Sequence, residues 1–181
     1  MMAGTAGAAE HEVGLMLGRL QGADAPRLGS GTALGANYSR RLAASGPVSV
    51  WVGANLLANP QRKVTAGRPE SITDVATLYV TPEARVVLGA GRVRAYGLAG
   101  AGWSVYEHSR LTAAGGPNPG PRTATTGALT YGGGVDIGVR SWLGLRGEVR
   151  DFYTGAPRYN FPAGRQHNVA ISAGLVVRWG Q

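Results

Sequence analysis

HNVAISAGLVVRW, residues 167–179, alternates with a period of two. Val169, Ile171, Ala173, Leu175, Val177 and Trp179 fall on one face of an extended chain. Asn168, Ala170, Ser172, Gly174 and Arg178 fall on the other. Successive side chains of a strand point to opposite faces, so this stretch predicts a strand with one apolar face; helical spacing would scatter the same residues round a cylinder.

The pattern recurs upstream. In 143–153, Leu143, Leu145 and Val149 oppose Arg146, Glu148 and Arg150. In 129–140, Leu129, Tyr131, Val135, Ile137 and Val139 oppose Thr130, Gly132, Gly134, Asp136 and Arg140. In 75–88, Ala76, Leu78, Val80, Ala84, Val86 and Leu88 oppose Thr77, Tyr79, Thr81, Glu83 and Arg85. Softer alternation marks 12–20, 32–42 and 48–59, which place Glu12, Asn37, Ser39, Arg41 and Asn55 on the polar side. Residues 93–108 complete the set by length and position, with Gly97, Gly100 and Gly102 expected to host a bulge.

Eight strands of this length suit a tilted membrane crossing. The connections alternate. Residues 23–31, 60–73, 109–125 and 154–166 form long segments rich in Gly, Pro and Asn, while those near 43–47, 89–92 and 141–142 are short. Long loops at one end and short turns at the other predict a single all-β domain over 1–181, an eight-stranded antiparallel up-and-down transmembrane β-barrel with residues 1–10 as a flexible lead-in. Tyr131 and Tyr153 fall near the loop end, and Tyr38, Trp142 and Trp179 near the turn end, as interfacial girdles would. A soluble barrel of lipocalin type, with its apolar face inward, is the alternative.

Composition agrees. Gly supplies 30 of 181 residues and the charged types only 15%, yet the mean hydropathy of −0.06 is near neutral. No run reaches the ~18 apolar residues of a membrane helix. There is no Cys, which excludes disulfides and thiolate-held metals. The net charge of +8 rests on arginines scattered along the chain, with Lys63 the single lysine, so no concentrated patch calls for nucleic acid. The start lacks a basic and apolar leader, so the expected form is a mature one without its export signal.

Four segments carry a resemblance: ATLYVTP (76–82), GGGVDIGV (132–139), LGLRGEVRDFYTGAPRYN (143–160) and HNVAISAGLVVRW. They resemble small outer-membrane β-barrels of the OmpA/OmpX-like superfamily, especially a porin-like set. The resemblance implies an outer-membrane location and, as partners, outer-membrane lipid, lipopolysaccharide and the barrel-assembly machinery. It also implies an assembly signal in the last strand, of polar-x-Gly-x-x-apolar-x-aromatic form, matched by Ser172, Gly174, Val177 and Trp179. The chain departs from that pattern by continuing through Gly180 and Gln181.

A barrel of eight strands is just filled by side chains. Glu12, Glu83, Asp136 and Glu148 are therefore expected to share a luminal charge network with Arg41, Arg85, Arg140, Arg146, Arg150 and Arg178. A narrow arginine-lined conduit is the functional alternative. Arg62, Lys63, Arg68, Arg158 and Arg165 give the long loops a basic rim suited to lipopolysaccharide phosphates. His108 and His167 are expected at the outer strand ends and His11 at the inner, but neither outer His matches the His-x-Ser-Asn run of lipid A deacylase barrels. No dinucleotide fingerprint, P-loop or catalytic set appears. The expectation is a non-enzymatic, cofactor-free, monomeric barrel acting in envelope structure or surface interaction. A small porin-like conduit and a lipid A-modifying enzyme stand as alternatives.

After refolding in detergent, the protein should migrate at different positions on a gel before and after boiling. A single position, with solubility in the absence of detergent, would return the soluble barrel.

Overall fold

A computed structural model describes residues 9–22, 28–64, 69, 71–89, 91–155 and 164–180. Its strands are β1 (His11–Gly22), β2 (Gly31–Ser45), β3 (Val48–Lys63), β4 (Asp74–Leu88), β5 (Val93–His108), β6 (Thr123–Gly138), β7 (Leu143–Gly155) and β8 (Arg165–Trp179). Each pairs antiparallel with its sequence neighbours, and β8 returns to β1 to close the barrel. Closure satisfies every strand's ladder and leaves no edge, the condition a sheet must meet in hydrocarbon.

The faces point as the alternation requires. Leu145 is 48% exposed, Val149 51%, Ile171 54% and Leu175 51%, although all four are strongly apolar. Leu15, Leu17, Leu34, Leu56, Leu78, Val86 and Trp103 join them outside. A continuous apolar exterior of this extent has no place in water. The girdle at the turn end is built by contact: His11 stacks between Tyr38 and Trp179, at centroid distances of 6.1 and 5.8 Å. Its ring also hydrogen-bonds the Tyr38 hydroxyl at 2.9 Å. Of the expected lead-in, residues 1–8 lie outside the described residues, and the Glu10 amide donates to the Trp179 carbonyl at 3.1 Å.

Two local expectations need correction. The first concerns β5, which is not bulged: it pairs with β6 in one register from Val93↔Ile137 to Glu107↔Thr123. Its glycines solve a different problem. A Cβ on Gly102 would stand 2.0 Å from the Val80 carbonyl oxygen, so only hydrogen fits at that crossing. The register shifts fall instead in β2, between Arg41 and Ala43, and in β3, between Asn59 and Arg62. The second correction is to β6, which stops at Gly138; Arg140 is an exposed residue of the following turn.

Because the obstruction at Gly102 is backbone rather than a flexible side chain, Gly102→Val should push β5 off β4. The expected loss is about 1–3 kcal/mol or more, visible as a lowered temperature for loss of the folded gel band. An unchanged transition would show that the strand pair is looser than described.

Candidate functional site

The interior is built in layers. Nearest the turns, Asp136 receives two parallel hydrogen bonds from Arg146, Nε to Oδ1 at 2.7 Å and Nη2 to Oδ2 at 2.9 Å. Arg178 Nη2 donates to the same carboxylate at 2.6 Å, and Arg94 Nη2 at 2.9 Å. Glu12 accepts from Arg85 Nη2 at 2.5 Å and from Arg146 Nη2 at 2.8 Å. Ser39 and Asn37 take further guanidinium hydrogens. One pleat above, Arg150 bridges Glu83 and Glu148, meeting Glu148 Oε1 at 2.9 Å. Tyr96 ties the layers together: its hydroxyl donates to Glu148 Oε2 at 2.7 Å, and its ring lies under the guanidinium groups of Arg146 and Arg85 at 4.9 and 5.4 Å.

Close packing of glycine makes room for these groups. A Cβ on Gly134 would stand 2.5 Å from the Tyr96 hydroxyl, and one on Gly144 2.7 Å from Arg178 Nη1. Charges withdrawn from water are tolerable only when paired and hydrogen-bonded, and the interleaving meets that demand.

Above the charges lies an apolar plug of Leu20, Ala33, Leu57, Tyr79, Ala128, Phe152 and Ala170. Tyr79 and Phe152 stack across it at 4.1 Å. A polar layer follows, in which Tyr106 and Thr154 hydroxyls meet at 2.9 Å and Asn168 Nδ2 donates to Thr154 at 3.4 Å. Leu28, Ile72, Val75 and Tyr106, with Val64 against them, close the loop end.

The structure brings together Glu12, Glu83, Arg85, Asp136, Arg146, Glu148, Arg150 and Arg178 as one buried network. It leaves out two residues expected there. Arg41 is half-buried at the β2 irregularity and makes no ion pair among the described residues, and Arg140 lies outside the barrel. It adds Arg94, which the alternation of β5 places inward with Tyr96; Leu98 in a run of glycines and alanines hides that phase in the sequence.

The basic rim is also revised. Arg62 is not a loop residue: it is 1% exposed inside the barrel, bonded to Asn168 Oδ1 at 2.9 Å. Lys63 and Arg165 are exposed at the outer ends of β3 and β8, whereas Arg68 and Arg158 lie outside the described residues.

The two outer histidines face opposite ways. His108 is buried, its Nδ1 2.8 Å from the Pro121 carbonyl oxygen. His167 is on the outer surface, with Nδ1 2.6 Å from Asp151 Oδ2; the Tyr131 hydroxyl donates to that oxygen at 2.7 Å. Tyr153 packs on the His167 ring at 4.7 Å, and Arg165 lies over Tyr153 at 5.6 Å. This cluster ends the apolar run of β7 at Val149 and sits where hydrocarbon gives way to head groups. Its hydroxyl is a phenol bonded to a carboxylate, not the seryl oxygen an acyl transfer needs beside its histidine.

Two solved structures share this architecture. Neisserial surface protein A is 14% identical, with 95% of this chain and 97% of that chain covered and a TM-score of 0.57. Ail, the attachment invasion locus protein of Yersinia pestis, solved with the heparin analogue sucrose octasulfate, is 14% identical over 93% of this chain and 97% of its own, with a TM-score of 0.52. The fold is that of a small outer-membrane β-barrel. No family model matches the sequence, and no curated protein matches it. Likeness at this identity speaks for the fold of the barrel, and the apolar exterior speaks independently for a membrane around it.

Asp136 serves three guanidinium groups at once, so Asp136→Ala should cost the barrel about 3–5 kcal/mol through uncompensated buried charge. Glu107→Ala, which removes an exposed partner of Arg122, should cost about 0–1 kcal/mol. Urea unfolding in lipid vesicles, followed by tryptophan fluorescence, would compare them; equal costs would mean that water reaches the network.

Proposed function

We propose that this protein is a non-catalytic outer-membrane barrel that works at its outer rim, in envelope architecture or surface interaction through its long loops. The observation that carries this reading is the sealed interior. Side chains bond across the lumen in the charged layers, and the Tyr79–Phe152 stack lies across the path above them. With solute passage blocked, the parts left to meet other molecules are the loop end and the lipid-facing wall.

Lipopolysaccharide is the partner the rim suits. Exposed Lys63 and Arg165, with Arg68 and Arg158 close to them in the sequence, supply cations that pair with phosphate, and guanidinium does so through two parallel hydrogen bonds. Ail was solved with a sulfated ligand, which is a polyanion of comparable charge character. The barrel acts as a monomer in this reading, since closure leaves no edge to recruit a second copy. The assembly machinery reads Ser172, Gly174, Val177 and Trp179 on β8, whose alternation puts the last two toward lipid.

Reconstitution in planar bilayers with lipopolysaccharide in one leaflet tests the assignment. The expected record is silent, with no acyl-chain release from lipid A. Reversing Lys63, Arg68, Arg158 and Arg165 to Glu should weaken binding to lipopolysaccharide vesicles severalfold while the folded gel band persists. Sustained stepwise opening would reinstate the conduit; acyl release abolished by His167→Ala would reinstate the enzyme.

A further inference from the structure

The arginines of the lower lumen each meet a carboxylate, but Arg62 does not. It is 1% exposed, and its bonds run to neutral groups, from Nη1 to Asn168 Oδ1 at 2.9 Å and from Nη2 to Thr77 Oγ1 at 3.5 Å. Its Nε hydrogen and the second hydrogen on each Nη have no partner among the described residues. Among the described residues, no carboxylate comes within ion-pair reach of it. The Arg150 guanidinium and its two glutamates lie on the far side of the apolar plug. Toward the loops, Leu28, Ile72, Val75 and Tyr106 close the compartment against water.

This placement is built rather than incidental. Strict alternation in β3 would turn Asn59 and then Gln61 inward. The register shift between Asn59 and Arg62 leaves Gln61 exposed and aims Arg62 into the lumen instead. Bulges of this kind re-aim a side chain. A guanidinium stays protonated wherever it is put, so among the described residues the compartment holds a full positive charge beside amide and hydroxyl groups that have none to offer. Water at these hydrogens would satisfy hydrogen bonding but leave that charge uncompensated.

We propose that the outer lumen of this barrel is a binding site for a small monatomic anion of the halide class, held by the Arg62 guanidinium between the plug and the loop cap. The guanidinium keeps one N–H on each of its three nitrogens without a partner among the described residues, and a monatomic ion can accept from them without directional demands while bringing the missing charge. The anion is then a structural counter-ion that the fold imports instead of encoding.

Two measurements test this on the whole chain. Crystals of the refolded barrel grown in bromide should show an anomalous peak in contact with the Arg62 guanidinium. Separately, the temperature for loss of the folded gel band should rise by several degrees when gluconate is replaced by chloride at constant ionic strength. Arg62→Met, which keeps the length of the side chain and removes the charge, should abolish that rise. A water or empty density at Arg62 in bromide would overturn the proposal, as would a chloride effect that survives in Arg62→Met. If that variant does not fold, the bromide crystals decide alone.

Discussion

Closing eight strands into a cylinder leaves an interior only as wide as the side chains that fill it, and in a membrane that interior must take the polar face. The consequences run through the whole molecule. Arginine and carboxylate have to interleave because neither has solvent to fall back on. Glycine stands against large groups such as Tyr96 and Arg178 because there is no second core into which bulk can be displaced. The network around Asp136 and Glu12 and the glycines at 134 and 144 are two sides of one packing problem.

Much of this was legible in the sequence. Period-two alternation gives seven of the strands and the direction of their faces, length and position give the eighth at 93–108, and the four acids fall inward at Glu12, Glu83, Asp136 and Glu148 as alternation requires. Alternation fails where the backbone breaks phase. The β3 irregularity converts Arg62 from an apparent loop cation into a buried one, whereas Arg41 holds its register opposite Trp51 at the last position before the β2 shift and stays out of the network. A pattern count cannot foresee such shifts, because one extra residue reverses every side chain beyond it. The charge set of β5 was hidden for a different reason: glycine and alanine occupy both faces from Gly97 to Gly102, so neither face announces itself.

The apolar plug shows how little a two-letter pattern says about the inside of a barrel. Leu20, Leu57 and Phe152 are as hydrophobic as the lipid-facing residues, yet they point inward. They separate the paired layer of charge from an upper layer of polar groups that are neutral apart from Arg62. Hydropathy counts such residues toward the membrane, whereas their role is to partition the lumen. Outside, Asp151 inverts the rule again, as a carboxylate on the lipid side made tolerable by His167 and Tyr131.

The closing hydrogen bond between Arg146 and Glu12 joins residues 134 positions apart in the chain. No early hairpin contains both partners, so a nascent sheet of β1 to β6 carries Glu12, Glu83 and Asp136 with only Arg85 and Arg94 of their cations. Contacts this distant in sequence slow the search for the native state, and they also make it cooperative. Until β7 and β8 arrive, the half-built cylinder is electrostatically incomplete and favours staying open to water. Completion of the chain is thereby coupled to its entry into lipid.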